Sequence, residues 1–160
     1  MIADHQDLTD NVNHLVSLYP TRMLAIQSMY SIDIIKGKKE FAEVASDYVS
    51  YHLEKYPVRS LDQKFYFNLL EAIWKNLAKI DGKIATHIDN AWKIERLPKL
   101  VLAILRVGSY DVSTTDTTQV ALVINDYLQI SKSLGHAEEI GFINGILDKM
   151  ITSSSGVSKS

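Results

Sequence analysis

The chain has 160 residues, 46% of them hydrophobic, which is enough apolar material for one domain with a substantial core. It contains no cysteine, which excludes disulfides, thiolate nucleophiles and cysteine-ligated zinc and suits a reducing cytoplasm. The net charge of −2 argues against a protein that coats nucleic acid through bulk electrostatics. Any nucleic-acid site must therefore be local, and arginines for it are scarce: Arg22, Arg59, Arg96 and Arg106.

Residues 1–18 are predicted to be an N-terminal extension. They lack the basic start and apolar run of a secretory signal. The longest apolar stretches of the chain are far shorter than the roughly 20 residues that span a bilayer, so we expect no membrane association. Residues 12–19 could form a helical lead-in to the first helix or a mobile extension, and the pattern leaves both possibilities open.

Apolar residues at helical spacing predict two helices in the first third of the chain. The first stripe consists of Ala25, Ile26, Met29 and Tyr30. It predicts a helix over residues 20–33 with Pro20 in the first turn. A second amphipathic stripe runs from Phe41 to His52, and Pro57 is expected to close that helix.

The clearest periodicity follows, with a three-four alternation kept for roughly six turns. Its members are Tyr66, Leu70, Ile73, Leu77, Ile80, Ile84 and Ile88. Ser60 and Gln63 resemble a capping box at its start. The pattern predicts one long central helix packed into a bundle, weakened locally by Gly82.

Three further stripes predict helices in the second half. Their inward positions are Leu97, Val101, Ile104, Leu105 and Gly108, then Val120, Val123, Ile124, Tyr127, Ser131 and Leu134, and finally Ile140, Ile143, Ile146, Leu147 and Met150. Pro98 is expected to open the first of these helices and Gly135 to end the second. Lys99 and Arg106 are expected to reach water.

Short connections between helical patterns and the lack of strict two-residue alternation predict an all-α fold. We expect a compact helical bundle of two packed helical subdomains that forms a single domain over residues 19–152. Gly141 and Gly145 are interpreted as positions that permit close helix packing. Residues 153–160 are expected to be disordered because they contain little apolar material.

Residue patterns that would support catalysis are not found. No two of the five histidines have the four-residue spacing of a helical metal site, so we expect no metal. Phosphate-cradling and nucleophile motifs are also absent, and we expect neither a cofactor nor enzymatic activity. Phe142 lies off the buried stripe of the last helix, where it could stack on an unpaired base or fill a secondary apolar cluster.

Several sequence blocks occur in an order that resembles the NusB family of transcription antitermination factors. The blocks are TRMLAIQSMY at 21–30, WKIERL at 92–97, AILRVGSYD at 103–111, IND at 124–126, KS at 132–133 and FINGILDK at 142–149. The resemblance covers about residues 20–150. It implies an all-helical fold, no catalysis, and a partnership with NusE, which is also a small-subunit ribosomal protein, on the boxA element of nascent RNA.

In that family the pair helps RNA polymerase to pass termination signals, especially in ribosomal RNA operons, as part of an antitermination complex. Transferred by position, the resemblance implies RNA contacts from Arg22, Gln27, Glu138 and Phe142, and NusE contacts from Tyr30 and Glu95. We expect a monomer or a weak homodimer.

The chain departs from the family pattern before the first helix, where relatives usually carry a cluster of arginines and this chain reads LYPT at 18–21. Fewer phosphate contacts should weaken RNA binding and flatten its salt dependence, unless NusE supplies the missing charge. One alternative is therefore a helical protein-interaction module with weakened or lost RNA binding. Another, the RNA-binding N-terminal domain of ribosomal RNA cytosine methyltransferases, is disfavoured because no cofactor domain or catalytic cysteine follows.

Overall fold

The computed structural model describes the backbone of residues 4–37, 39–56, 61–89 and 93–158, and within these ranges the side chains from residue 18 to residue 151. Over these ranges the chain forms α-helices joined by short turns, with no strand. The helices are α1 (Asp4–Ile35), α2 (Phe41–Lys55), α3 (Gln63–Lys75), α4 (Leu77–Thr86), α5 (Lys99–Thr114), α6 (Val120–Ser133) and α7 (Ile140–Ser158), with 3₁₀ turns at Ile94–Arg96 and Ala137–Glu139. The all-α prediction is confirmed.

Helix α5 lies at the centre of the bundle. Every residue from 101 to 109 is buried, so this helix is surrounded on all sides, as expected for a helix with apolar residues on more than one face. It packs against α1, α3, α4, α6 and α7, while α1, α2 and α3 also pack on one another. Helix α5 thus joins the group formed by α1, α2 and α3 to the group formed by α6 and α7, and the core is continuous.

The first helix starts earlier than predicted, and Pro20 lies inside it instead of in its first turn. A proline in a helix interior removes one backbone hydrogen bond and costs about 3 kcal/mol. The neighbouring turn is well packed, since Leu18 is 6% exposed and Thr21 is fully buried. This burial offsets the cost and keeps the helix continuous through the proline.

The long helix predicted from Tyr66 onward is divided into α3 and α4 at Asn76, not weakened at Gly82. The Asn76 backbone N–H is shared between the carbonyls of Ala72 and Ile73, at 3.2 and 3.1 Å. Its side-chain amide also donates to Ala72 O at 2.8 Å. Asparagine competes in this way for backbone partners, which is why it interrupts the helix where the apolar pattern alone showed no break.

The cap of α3 also differs from the prediction, because Ser60 lies outside the described residues and Asp62 occupies the cap position. The Asp62 carboxylate accepts a hydrogen bond from the Phe65 N–H at 2.9 Å. Pro57, expected to close α2, lies outside the described residues. At two other predicted boundaries, Pro98 precedes α5, and Gly135 follows α6 with a left-handed φ of 87°. Both of these predictions are confirmed.

Helix α7 continues to Ser158, whereas disorder was predicted from residue 153. A helix adds one hydrogen bond per residue once it has formed, and no proline follows to stop it. The interpretation of Gly141 and Gly145 as close-packing positions is wrong, since both are exposed and a Cβ on either would meet no atom within 4 Å. The close approach occurs instead at Gly108, where a Cβ would lie 3.1 Å from Leu147 Cδ2.

Candidate functional site

Arg22 is 6% exposed and forms ion pairs inside the bundle. Its Nε donates to Asp111 Oδ2 at 2.7 Å, and its Nη1 donates to Asp126 Oδ2 at 2.8 Å. The guanidinium also lies 5.5 Å from the Phe65 ring centre and 5.9 Å from that of Tyr127. The structure therefore places Arg22 inside the bundle, where its charge joins α1, α5 and α6.

Burial and charge act in opposite directions on this cluster. Burial disfavours the charged guanidinium, but the nearby carboxylate of Asp111, together with Tyr127 and Asp126, outweighs it and raises the pKa of Arg22. Burial raises the pKa of Asp126 despite its contact with Arg22. It also raises the pKa of Tyr127 well above its ordinary value, and the Tyr127 hydroxyl donates to Asp111 Oδ2 at 2.6 Å.

Arg106 is also buried, contrary to the expectation that it reaches water. It is 8% exposed and binds both carboxylate oxygens of Asp81, each at 2.8 Å, with Asp33 at 3.8 Å. This fork-like pair joins α5 to α4. Of the four arginines, two are therefore internal, Arg59 lies outside the described residues, and Arg96 is exposed in the turn before α5.

Gln27 and Tyr30 line the same surface groove, which has a volume of about 500 Å³. We call it the tyrosine groove and define it by its lining residues: Leu24, Gln27, Tyr30, Ser31, Tyr48, Tyr51, His52, Lys55, Tyr56, Leu100 and Leu134. It lies where α1 and α2 meet the start of α5 and the end of α6. The structure therefore brings together one residue expected to contact RNA and one expected to contact NusE.

The rim of the tyrosine groove on α2 is aromatic and exposed. Tyr51 is 59% exposed and Tyr56 is 42% exposed. The Lys55 ammonium lies 5.5 Å from the Tyr51 ring and 5.8 Å from the Tyr56 ring, and it donates to the Tyr51 hydroxyl at 3.2 Å. Exposed tyrosines beside a cation form a surface suited to a macromolecular partner, since tyrosine offers a large apolar face and a polar tip.

Glu138 and Phe142 follow the groove residue Leu134 along the chain. Leu134 lines the groove at the end of α6, and four residues later Glu138 is exposed in the 3₁₀ turn before α7. Phe142, on the first turn of α7, is 37% exposed and lies outside the core. Glu95 is exposed in the turn before α5, five residues ahead of Leu100.

Sequence reasoning missed the contribution of α2 to this surface. Its stripe was interpreted only as the packing face of a helix, and Val44 and Ala45 of that stripe are indeed buried. The available signal was the concentration of aromatic residues at Tyr48, Tyr51 and Tyr56, which exceeds what one buried stripe requires. Only the placement of α2 beside Tyr30 shows that these rings share one groove.

The part of the chain that the structure describes offers neither of two other kinds of site. No group of three or more histidine, aspartate or glutamate side chains there could hold a metal ion. Among the described helices, none combines the length and apolar character needed to cross a membrane.

The fold and the groove define an all-helical protein with an extended aromatic surface. The sequence model of the NusB family matches residues 19–152. The transcription antitermination protein NusB of Caulobacter vibrioides is 31% identical over 132 residues, covering 79% of this chain and 87% of the relative. That of Clostridium botulinum is 31% identical over 121 residues, covering 76% and 82%. The chain belongs to the NusB family.

Solved structures show the same fold. A crystal structure of T. maritima NusB superposes with a TM-score of 0.71 at 19% identity, covering 84% of this chain and 89% of that one. A chain from the complex of antitermination factors NusB and NusE with double-stranded RNA superposes with a TM-score of 0.71 at 18% identity, covering 86% and 97%. At these identities the likeness establishes the architecture alone.

Proposed function

We propose that this chain is a cytoplasmic transcription antitermination factor that binds NusE and boxA RNA and promotes processive transcription of ribosomal RNA operons within an RNA polymerase complex. The observation that carries the proposal is the family match over residues 19–152, together with relatives at 31% identity that are named transcription antitermination proteins. A solved complex of NusB with NusE and RNA, whose fold this chain shares, supports the choice of partners.

The tyrosine groove is the proposed docking surface for NusE. Its lining combines half-buried Tyr30 with the exposed rings of Tyr51 and Tyr56, and aromatic residues of this kind dominate the binding energy of many protein interfaces. Glu95, exposed ahead of α5, adds a carboxylate to the same proposed interface. A rigid helical bundle presents such residues without a large ordering cost.

The proposed RNA contacts are Gln27, Glu138 and Phe142. Phe142 supplies an exposed ring on which an unpaired base can stack, and Gln27 and Glu138 supply hydrogen-bonding groups near the groove and in the turn before α7. None of the three is cationic. Because Arg22 is committed to Asp111 and Asp126, the charge for phosphate contacts is reduced further than the sequence alone implies.

This shortage of free arginine favours a second candidate, a helical protein-interaction module that keeps NusE binding but has weakened or lost RNA binding, even when NusE is present. A plot of the logarithm of the RNA binding constant against the logarithm of the salt concentration has a negative slope. Each missing phosphate contact makes this slope shallower by roughly one unit. The two candidates share the tyrosine groove and differ only in RNA affinity. They are separated by measuring RNA binding with and without NusE.

The test uses the full chain with purified NusE and a boxA RNA oligonucleotide. NusE binding is measured by calorimetry for the wild-type chain, for Tyr51→Ala and for the control Leu122→Ala, which removes an exposed apolar side chain from α6. We expect Tyr51→Ala to weaken NusE binding about tenfold or more and Leu122→Ala to leave it unchanged. Failure of the wild-type chain to bind NusE would contradict both candidates.

RNA binding is then measured by fluorescence anisotropy over a series of salt concentrations. We expect weak binding with a shallow salt slope for the chain alone and tighter binding once NusE is present. Tight, steeply salt-dependent binding by the chain alone would show that the cations of this chain are sufficient for RNA binding without NusE. Equal, weak binding in both conditions would favour the adaptor that has lost RNA.

A further inference from the structure

A second surface pocket lies between α4, α5 and α7, away from the tyrosine groove. We call it the lysine pocket and define it by its lining residues: Asn76, Lys79, Ile80, Lys83, Ser109, Tyr110, Ser113 and Met150. Leu100 of the groove and Ser109 of the pocket are nine residues apart on α5, about 14 Å along the helix axis. The two sites are thus separate surfaces on the same central helix.

The charge of the lysine pocket has one sign. Lys79 and Lys83 are exposed on adjacent turns of α4, and no carboxylate is among the residues that line the pocket. Neither lysine forms an ion pair with the part of the chain that the structure describes, whereas Lys39, Lys75 and Lys99 do. Two like charges four residues apart on a helix repel each other, and an anion between them would relieve that repulsion.

Helix α5 contributes three hydroxyl-bearing residues to the lining of the pocket. Ser109 is 4% exposed, and its Oγ has no hydrogen-bond partner among the described groups. A buried hydroxyl without a partner is costly, since most buried polar groups in proteins are satisfied. Tyr110 and Ser113 also line the pocket from α5, where the Ser113 hydroxyl donates to Tyr110 O at 2.7 Å, and Ile80 and Met150 supply the apolar part of the lining.

The size of the pocket limits what it can hold. Its volume of about 210 Å³ is below the range of roughly 300–1,000 Å³ that is typical of sites for drug-sized ligands. Two ammonium groups and the hydroxyls of Ser109 and Tyr110 match a compact group with many acceptor oxygens and more than one negative charge. A phosphoryl group meets these requirements better than a carboxylate, which has two oxygens and a single charge.

We propose that the lysine pocket binds a phosphoryl group, with Lys79 and Lys83 as its cationic contacts and Ser109 as the hydroxyl that becomes satisfied on binding. The group is supplied either by free phosphate or by the backbone of a bound RNA. This site is independent of the tyrosine groove and of the proposed contacts at Phe142. It gives the chain local positive charge on α4, whereas the family pattern places its arginines ahead of the first helix.

The first experiment titrates inorganic phosphate into isotopically labelled full-length chain at constant ionic strength and follows amide chemical shifts. We expect saturable shifts at residues 76–83 and 109–113, absent when chloride replaces phosphate. Lys79→Gln and Lys83→Gln should each weaken phosphate binding about tenfold, since each removes one of the two charge-assisted contacts to the anion. Lys64→Gln, which removes an exposed lysine from α3, is the matched control.

Ser109→Ala tests the hydroxyl separately, and its unchanged amide spectrum in the absence of phosphate would show that the fold is intact. We expect weaker phosphate binding in this variant. Shifts that do not saturate, that appear equally with chloride, or that persist in the Lys79→Gln/Lys83→Gln double variant would overturn the proposal.

The source of the phosphoryl group is decided by repeating the RNA titration with this double variant and NusE present. If RNA supplies the group, the affinity falls and the salt slope decreases by up to about two. If free phosphate supplies it, RNA binding stays at the wild-type value while phosphate binding is lost. Either result supports the pocket and assigns its ligand.

Discussion

Arg22 on α1 and Asp111 on α5 form a buried ion pair, with 2.7 Å between Arg22 Nε and Asp111 Oδ2 and less than 8% of either side chain exposed. The residues are 89 positions apart in the sequence. The pair therefore ties the middle of the first helix to the central helix.

The first prediction concerns the stability that this pair provides. Arg22→Met should lower the free energy of unfolding by about 3–5 kcal/mol, because it leaves the Asp111 carboxylate buried without its cation. Urea denaturation measures the change. Arg96→Met, which removes an exposed arginine, should change the same quantity by less than about 0.5 kcal/mol.

A double variant shows whether the decrease comes from the uncompensated charge. Asp111→Asn combined with Arg22→Met should recover part of the stability that Arg22→Met alone removes, because no buried carboxylate then remains at position 111. If Arg22→Met folds as stably as the wild-type chain but binds RNA poorly, Arg22 has a direct RNA role after all.

The second prediction concerns alkaline pH. Burial raises the pKa of Tyr66 to about 12, whereas an unfolded tyrosine titrates near 10. Below pH 10 both states keep the proton. As the pH rises from 10 to 12 the unfolded state loses it first, so the free energy of unfolding falls, by about 2–3 kcal/mol for this residue.

Urea denaturation at fixed points between pH 8 and pH 12 tests this dependence. In Tyr66→Phe the decline should be smaller, although the absence of hydrogen bonds to Ser28 and to Ala45 O lowers stability at neutral pH. Tyr127, whose pKa is also raised by burial, should contribute to the remaining decline. An unchanged pH profile in Tyr66→Phe would show that Tyr66 does not titrate in this range.

The third prediction compares two helical glycines. A Cβ at Gly108 would lie 3.1 Å from Leu147 Cδ2 and 3.4 Å from the Tyr127 ring, whereas a Cβ at Gly82 would meet no atom within 4 Å. Both alanine variants gain helix propensity, but only Gly108→Ala also overpacks the core.

Gly108→Ala should therefore unfold with a free energy about 1–3 kcal/mol below that of Gly82→Ala. Gly82→Ala itself should equal or exceed the wild-type stability by up to about 1 kcal/mol. Thermal and urea denaturation of the two variants measure the difference. Equal stabilities would indicate that Leu147 can move aside without cost.

The fourth prediction concerns the proposed RNA contact at Phe142. Phe142→Ala should weaken boxA RNA binding in the presence of NusE by about fivefold to a hundredfold, since stacking of one base on an aromatic ring contributes about 1–3 kcal/mol. NusE binding should not change. Leu122→Ala, in which a more exposed apolar side chain is removed from α6, serves as the control for a nonspecific decrease in surface area.

Anisotropy with boxA RNA and with an unrelated RNA of the same length completes this test. If Phe142→Ala binds boxA as tightly as the wild-type chain, Phe142 is only part of an apolar surface cluster, which is the alternative that the sequence left open.

The sequence by itself determined the all-helical fold and the ends of several helices. Local physics suffices there: apolar periodicity places the helices, Pro98 favours a helix start at that point, and Gly135 supplies the left-handed residue that ends α6. The family resemblance rests on the same linear order of residues, so it too follows from the sequence alone.

Only the tertiary structure decided what the charged and aromatic residues do. The sequence could not show that Arg22 meets Asp111 or that Arg106 meets Asp81, because ion pairs between distant segments depend on which helix faces pack together. The same packing brings Tyr30 and Tyr51 into one groove and leaves Lys79 and Lys83 beside Ser109. Burial and pairing of side chains are properties of the assembled bundle, and they separate the arginines that hold the fold from the side chains left for partners.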